Sequence, residues 1–270
     1  MSISLPVRRA FNWKVWVFVL VLVIPSSYAI IPYSSTLTST TYRPDEWPGV
    51  IMLTLVNALV VLGVLAGIGL FLGSRIGLGL PLVESWVKRE ASCLQLVGRF
   101  RRAFGLSVLV GVVAGLVIIV LDTFVFGPPL AAELARLGIV IPASVQPPAW
   151  QGFLASFTGG VNEEVMFRLF GVSLVAWVGG LVSRDSEGRP RPAVLWIAIV
   201  VVAVAFGLSH LPATAAIGLP LDALVVTRAI ILNSIVGIAC GWLYWRRGLE
   251  SAMVAHFSAD IVLHVLPMLV

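Results

Sequence analysis

The sequence is poor in charged residues. Asp, Glu, Lys and Arg together make up 11% of its 270 residues, whereas they make up about a quarter of an ordinary soluble domain. Hydrophobic residues make up 59% of the chain, and the mean hydropathy is +1.02. This composition excludes an ordinary soluble domain and predicts a polytopic membrane protein.

Cysteine is almost absent, with two residues in the whole chain. Cys93 falls in a polar stretch and Cys240 lies inside an apolar run. These positions favour neither a disulfide nor a cysteine-based metal site.

Acidic residues are outnumbered, 13 to 18, by Lys and Arg, which leaves a formal charge of +5. The basic residues are scattered between apolar runs and form none of the aromatic and basic modules that are typical of nucleic-acid-binding proteins. The excess positive charge is therefore interpreted as a signal of membrane topology, and nucleic acid is not expected as a partner.

Long apolar runs account for most of the chain, and about 20 apolar residues are needed to cross the hydrocarbon of a bilayer. The runs cover residues 13–31, 50–72, 104–126, 150–182, 193–211, 224–245 and 249–270. We predict an all-α fold, a polytopic transmembrane bundle of about seven to eight spanning helices that forms one integral membrane domain over residues 1–270. A re-entrant piece near residues 212–220 would supply the eighth segment.

The basic residues also predict the orientation of the chain. Arg8, Arg9 and Lys14 precede the first apolar run, which is longer than the ~7 to 15 residues of a signal-peptide core and is therefore predicted to stay as an anchor. The longest polar connector, residues 73–103, is rich in Arg and Lys and fits either an interfacial amphipathic segment or a solvated loop. The positive-inside rule then places the N-terminus and this connector in the cytoplasm. The expected location is the plasma (inner) membrane of a prokaryote.

Three ionisable residues lie together inside the fourth apolar run, where each charge costs at least a few kcal/mol and marks a functional hypothesis. On a helix Glu164 and Arg168 are four residues apart and can pair, whereas Glu163 points about 100° away. The spacing therefore predicts one neutralised carboxylate and one free carboxylate. The alternative is that all three form an ion network that serves packing.

Two further apolar helices carry polar side chains at a spacing of four residues. Phe206 and His210 share a face of one helix, and His256 and Asp260 share a face of the last helix. His264 continues the second stripe by one turn, and we interpret it as structural because it lies nearer the end of the chain.

Two chemistries are open to Glu163, His210 and His256 if the fold brings them together. They can bind Zn²⁺ or another divalent metal as a set of two histidines and one carboxylate. Alternatively, Glu163 can act directly as the base that activates water, hydrogen-bonded to His210. In the second case His256 and Asp260 would orient the substrate and stabilise the oxyanion, a role for which Asp260 must be protonated.

These motifs resemble the signature of a known family. In order, they are Glu163-Glu164-x-x-x-Arg168, Phe206-x-x-x-His210 and His256-x-x-x-Asp260. This arrangement is similar to that of the CPBP intramembrane endopeptidases, also called CAAX prenyl proteases, bacteriocin-processing enzymes or Abi proteins. The resemblance covers residues from about 150 to 270.

The resemblance implies a helical membrane bundle that hydrolyses peptide bonds near the membrane, including those of prenylated CAAX proteins. By position, Glu163 is implied to activate water, with Glu164 and Arg168 as its motif partners, and His210 and His256 to be catalytic or metal-binding. Asp260 stands where many members have Asn and others Asp, and Leu169 stands where a Gly often follows the motif Arg. Members have been described as metalloproteases and as glutamate-dependent proteases.

Two other functions are compatible with a polar cluster in a membrane bundle. A membrane binding or immunity protein could keep the cluster as a ligand site, although binding alone does not require both a candidate base and two histidines. A transporter would be expected to show internal repeats or matching broken helices in its two halves, and the sequence shows neither. We therefore expect an intramembrane endopeptidase with a membrane-anchored or lipidated substrate.

Overall fold

The computed structural model describes residues 9–139 and 146–269, so that Arg8 and Val270 lie outside the described residues. Within these residues, seven helices are long and apolar enough to cross a membrane. In chain order they are Trp13–Leu37, Trp47–Ile76, Leu94–Leu137, Ala149–Val182, Pro192–Ala216, Ala223–Arg247 and Leu249–Met268, hereafter the first to seventh spans. The predicted all-α bundle is confirmed, with residues 211–216 as a short helical extension of the fifth span.

Several spans are composite. Their α-helical parts are Trp13–Ala29, Ile31–Leu37, Trp47–Val56, Gly63–Ile76, Cys93–Leu121, Gly127–Leu137, Ala149–Phe157, Ser173–Val182, Pro192–Ser209, Leu211–Ala216, Ala223–Arg247 and Leu249–Asp260. Segments of the wider π-helix lie at Asn57–Leu62, Asp122–Phe126, Thr158–Val172 and Ile261–Val265, and a 3₁₀ turn covers Leu266–Met268. Because π-helical turns are rare and concentrate at functional sites, the fifteen-residue segment Thr158–Val172 marks the fourth span as unusual.

The third span begins earlier than the hydropathy of the sequence indicates. Its helix starts at Cys93, so the last part of the predicted 73–103 connector is helical. Ser92 caps this helix: its hydroxyl accepts a hydrogen bond from the amide of Gln95, whose side chain accepts one from the amide of Ser92. This capping box begins the helix among polar residues, which apolar run length does not detect.

The same span also ends later than predicted. The apolar run in the sequence ends at residue 126, before Gly127-Pro128-Pro129, but the helix continues to Leu137. The prolines stand in the first turn of the segment that follows the π-helical turn Asp122–Phe126. A proline is tolerated in a first turn because its missing N–H has no partner there.

A short helix, Pro81–Val87, packs against the first and third spans and is hydrogen-bonded to the start of the seventh. The Arg9 guanidinium donates to Glu84 Oε2 at 2.5 Å and to the Leu78 carbonyl at 2.6 Å. Glu250, at the start of the seventh span, accepts from the amides of Leu82 and Val83 at 2.9 and 3.0 Å. Burial raises the pKa of the Glu84 carboxyl, while Arg9 opposes that rise. The two hydrogen bonds to Glu250 anchor the first turn of the seventh span.

The fourth span lies at the centre of the bundle, in contact with the first, second, fifth, sixth and seventh spans. Val165 and Leu169 have no exposed surface. A Cβ atom on Gly69 of the second span would lie 2.6 Å from the Leu169 carbonyl oxygen. Gly69 therefore allows the second and fourth spans to pack closely.

Asp122 pairs with Arg228 across the third and sixth spans. Both carboxylate oxygens accept from the guanidinium at 2.6 Å. The pair is partly exposed, with side-chain accessibilities of 36% for Asp122 and 25% for Arg228. A bidentate pair fixes the relative orientation of two helices, which is consistent with a structural role.

Candidate active site

The three ionisable residues of the fourth span lie in its π-helical segment. Arg168 Nη1 is 3.0 Å from Glu164 Oε1, and both side chains are almost completely buried. The predicted pairing of these two residues is confirmed. Glu163 has a side chain that is 28% exposed, and its Oε2 atom faces the seventh span. The segment therefore separates an internal, neutralised carboxylate from a partly exposed one.

His256 of the seventh span is oriented by the internal carboxylate. Its Nδ1 atom is 2.7 Å from Glu164 Oε1, in a fully buried hydrogen bond. A carboxylate paired with a guanidinium accepts hydrogen bonds and donates none, so Nδ1 of His256 carries the hydrogen. Sequence reasoning gave Glu164 only Arg168 as a partner and did not identify this contact. Glu164 thus fixes both the tautomer and the orientation of the imidazole.

The other nitrogen of His256 faces two further carboxylates. Nε2 lies 3.6 Å from Glu163 Oε2 and 3.7 Å from Asp260 Oδ1. Both separations are too long for direct hydrogen bonds, and a water beside these atoms can contact the nitrogen and a carboxylate together. The structure therefore brings Glu163, His256 and Asp260 together. Since Glu164 orients the ring, Asp260 is not needed as the residue that orients His256.

Phe206 of the fifth span lies among the polar residues. Its ring centroid is 4.7 Å from that of His210, 5.6 Å from that of His256 and 4.8 Å from the Arg168 guanidinium. The predicted sharing of a helix face by Phe206 and His210 is confirmed. The aromatic ring thus covers the buried ion pair and touches both imidazoles.

His210 stands at the end of the main helix of the fifth span. Its Nδ1 atom is 2.8 Å from the Phe206 carbonyl oxygen, so this nitrogen carries the hydrogen and Nε2 is left available. The direct water-activation hypothesis requires a hydrogen bond between Glu163 and His210. Among the described residues, no hydrogen bond or ion pair joins these two side chains. In this structure His210 is connected to His256 through the Phe206 ring.

Gly159 is a site residue that sequence reasoning missed. It lies one turn before Glu163, and a Cβ atom there would overlap the Asp260 carboxylate and lie 3.2 Å from His256 Nε2. Only a residue without a side chain allows this approach. The pair Gly159-Gly160 in a long apolar run is the signal that could have indicated it.

We expect Gly159→Ala to lower kcat by roughly 10²-fold, because the added methyl displaces Asp260 and a shift of about 1 Å at a reacting group has effects of that size. The measurement is peptide cleavage by the purified variant. Gly105→Ala is the matched control, since a Cβ at this helical glycine meets no atom within 4 Å. Equal activity of the two variants would contradict the close approach of Gly159 to the site.

A second missed feature is a polar network that anchors the residue before Glu163. Asn162 Nδ2 donates to Ser27 Oγ at 2.8 Å, and Asn162 Oδ1 accepts from Ser26 Oγ. The Thr158 hydroxyl donates to the Ser26 carbonyl at 2.6 Å. Asn162, Ser26 and Ser27 are buried. Pro25-Ser26-Ser27 is a polar interruption of the first apolar run, which is the signal that could have identified it. The network holds the π-helical segment against the first span.

His264 contacts Tyr33 of the first span. Its Nδ1 atom is 3.2 Å from the Tyr33 hydroxyl, and the rings meet edge to face at 5.5 Å. The interpretation of His264 as structural is consistent with this contact. Tyr33 was not singled out in the sequence.

The predicted metal ligands were Glu163, His210 and His256. In the described part of the chain, the group of three potential ligand atoms that lie within 4.8 Å of one another is Glu164, Cys240 and His256 instead. The Oε1 atom of Glu164 already accepts from His256 and lies 3.0 Å from Arg168 Nη1, so a cation there would face a guanidinium beside its carboxylate ligand. This donor set does not fit a divalent metal.

Residues 144–262 match the family model described as type II CAAX prenyl endopeptidase Rce1-like. The matched range contains the motif residues from Glu163 to Asp260 and ends just before His264. No curated protein and no solved structure matches the chain.

Proposed function

Residues 144–262 belong to the Rce1-like family of type II CAAX prenyl endopeptidases, and from this premise we propose a specific mechanism for the chain. Among the residues that the structure describes, seven helices are candidate membrane spans, and the family implies that the chain is a membrane protease. We propose that Glu163 activates the water that hydrolyses the peptide bond. We propose further that the substrate is a membrane-anchored or lipidated peptide, such as a prenylated CAAX-type chain.

The arrangement of His256 between two glutamates is the observation that carries the mechanism. Its Nδ1 atom is bonded to Glu164, and its Nε2 atom lies 3.6 Å from Glu163 Oε2. A water that lies beside these two atoms, and not between them, can contact both. The exposed part of the Glu163 carboxylate lets that water exchange and lets a substrate approach.

In the proposed reaction, Glu163 takes a proton from the water while the water oxygen attacks the scissile carbonyl carbon. The carbonyl oxygen becomes the oxyanion of a tetrahedral intermediate. Glu163 then gives the proton to the amide nitrogen as the bond between carbon and nitrogen breaks. The products are a carboxylic acid and an amine, which exchange a proton to become a carboxylate and an ammonium group, and the glutamate returns to its ionised form.

The other residues act on charge and position. Asp260 faces the same nitrogen of His256 as Glu163 does and, when protonated, can donate to the oxyanion. His210 would contact the substrate from the fifth span, with its Nε2 atom left available. Arg168 neutralises Glu164, so that Glu163 is the carboxylate with a basic role.

We expect the activity to resist metal chelation, because the proposed base acts on water directly. The measurement is cleavage of a panel of membrane-anchored peptides, with and without a prenyl group, by purified wild type before and after treatment with a strong zinc chelator. A soluble zinc protease that cleaves the same peptide sequence is the control for chelation.

Two outcomes would contradict the proposal. Loss of cleavage on chelation that added Zn²⁺ restores would replace the glutamate mechanism with a metal-dependent one at Glu163, His210 and His256. Absence of cleavage for every peptide, together with saturable binding of one of them, would favour the membrane binding or immunity function.

A further inference from the structure

An apolar groove of about 480 Å³ lies between the third, fourth and seventh spans. Phe104, Val108 and Val112 line it from the third span, and Phe257 and Ile261 line it from the seventh. Phe104 at its edge is 45% exposed. At the depth of the spans this surface faces lipid, so the groove is open to hydrocarbon and not to water.

The groove lies beside the catalytic residues but does not include them. Phe257 and Ile261 directly follow His256 and Asp260 in sequence, so they occupy the neighbouring face of the same helix. The Phe257 side chain approaches Gly160, where a Cβ atom would lie 3.1 Å from Phe257 Cβ. This close packing separates the groove from the site around Glu163.

One end of the groove carries a positive charge. Arg101, Phe104, Val108 and Val112 follow one another along the third span at successive steps of three, four and four residues. These steps place all four on one helix face. Arg101 is exposed, and within the described part of the chain no carboxylate forms an ion pair with it. The neighbouring Arg102 instead donates to the Gly98 carbonyl of its own helix.

The dimensions match a single lipid leaflet. Arg101 and Val112 are eleven residues apart, which is about 16 Å along a helix and about half of the ~30 Å hydrocarbon thickness. A basic residue at the membrane surface attracts anionic headgroups. We propose that the groove binds one acyl chain of an anionic phospholipid, whose phosphate is held by Arg101. This site is separate from the catalytic one and does not depend on the proposed reaction.

The test uses native mass spectrometry of the purified full chain with phosphatidylglycerol or phosphatidylcholine of equal chain length. We expect wild type to retain one phosphatidylglycerol preferentially. Arg101→Gln should weaken that retention about fivefold, the effect of removing one basic contact with an anionic surface. Arg99→Gln is the matched control, because it removes the same charge from a position about 200° away on the helix and should leave retention unchanged.

Groove occupation is tested by Val108→Trp, which fills the apolar space and should abolish retention of the lipid. Val112→Phe serves the same purpose if the first variant does not fold. Equal losses in Arg99→Gln and Arg101→Gln would overturn the proposal, since they would indicate general surface charge. Undiminished retention with the groove filled would also overturn it. Stoichiometric displacement of the lipid by a farnesylated peptide would overturn the proposal as well. A dimer that forms without lipid and that Val108→Trp dissociates would also overturn it.

Discussion

Glu163→Gln is expected to lower kcat by about 10² to 10⁴-fold, the usual contribution of a general base. Glutamine keeps the size of the side chain but cannot take a proton from water. The fold should be retained, because the Glu163 side chain is 28% exposed and its distance of 3.6 Å to His256 is too long for a hydrogen bond. The measurement is kcat on a cleaved membrane peptide, together with the Tm of the variant in the same detergent.

Glu187→Gln is the control for this change, since Glu187 is an exposed residue in the loop between the fourth and fifth spans. It should leave both kcat and Tm unchanged. A kcat for Glu163→Gln within twofold of wild type would rule out Glu163 as the base. A loss of Tm as large as the loss caused by removing Arg168 would mean that the carboxylate serves the fold.

Arg168→Met is expected to destabilise the protein by about 3–5 kcal/mol, the effect of removing one partner from a buried ion pair. Arg168 and Glu164 are 1% and 0% exposed. The variant would leave the Glu164 charge in the interior with only His256 as a partner. It would also remove the guanidinium that packs 4.8 Å from the Phe206 ring centroid. The measurement is unfolding in detergent, followed by circular dichroism, with cleavage activity measured in parallel.

An exposed pair on the third span provides the matched control. Arg136 pairs with Glu133, but its side chain is 67% exposed, so Arg136→Met should cost at most about 1 kcal/mol. If Arg168→Met were no more destabilising than Arg136→Met, the buried pair would have no special role in the fold.

The double variant Glu164→Gln/Arg168→Met separates charge from catalysis. Removing both charges avoids an unpaired carboxylate, so part of the lost stability should return relative to Arg168→Met. Activity should not return, because Nδ1 of His256 loses the charged acceptor that orients it. Recovery of activity together with stability would contradict the orienting role of Glu164.

The membrane spans could be predicted because hydrocarbon imposes a simple rule. A spanning segment must satisfy its backbone internally and be apolar over about 20 residues, so length and hydropathy decide where a helix crosses. The rule does not apply to polar turns outside the hydrocarbon. For this reason the start of the third span at Cys93 was missed, and the connector that contains the helix Pro81–Val87 was left open between an amphipathic segment and a solvated loop.

Local spacing also allowed part of the site to be predicted. Glu164 with Arg168 and Phe206 with His210 are each four residues apart, and such pairs are neighbours on any helix. The catalytic roles of Glu163, His210, His256 and Asp260 remain predictions that the variants above will test.

The sequence alone determined that the chain crosses the membrane and which helix faces carry charge, because both depend on residue type and on spacing within one helix. Only the tertiary structure decided which of two adjacent glutamates meets which nitrogen of His256. Glu164 and His256 are 92 positions apart in the chain, and their contact depends on how two spans pack. It also depends on a π-helical turn and on Gly159, which leaves space for Asp260. Packing between distant segments is not encoded in any local pattern.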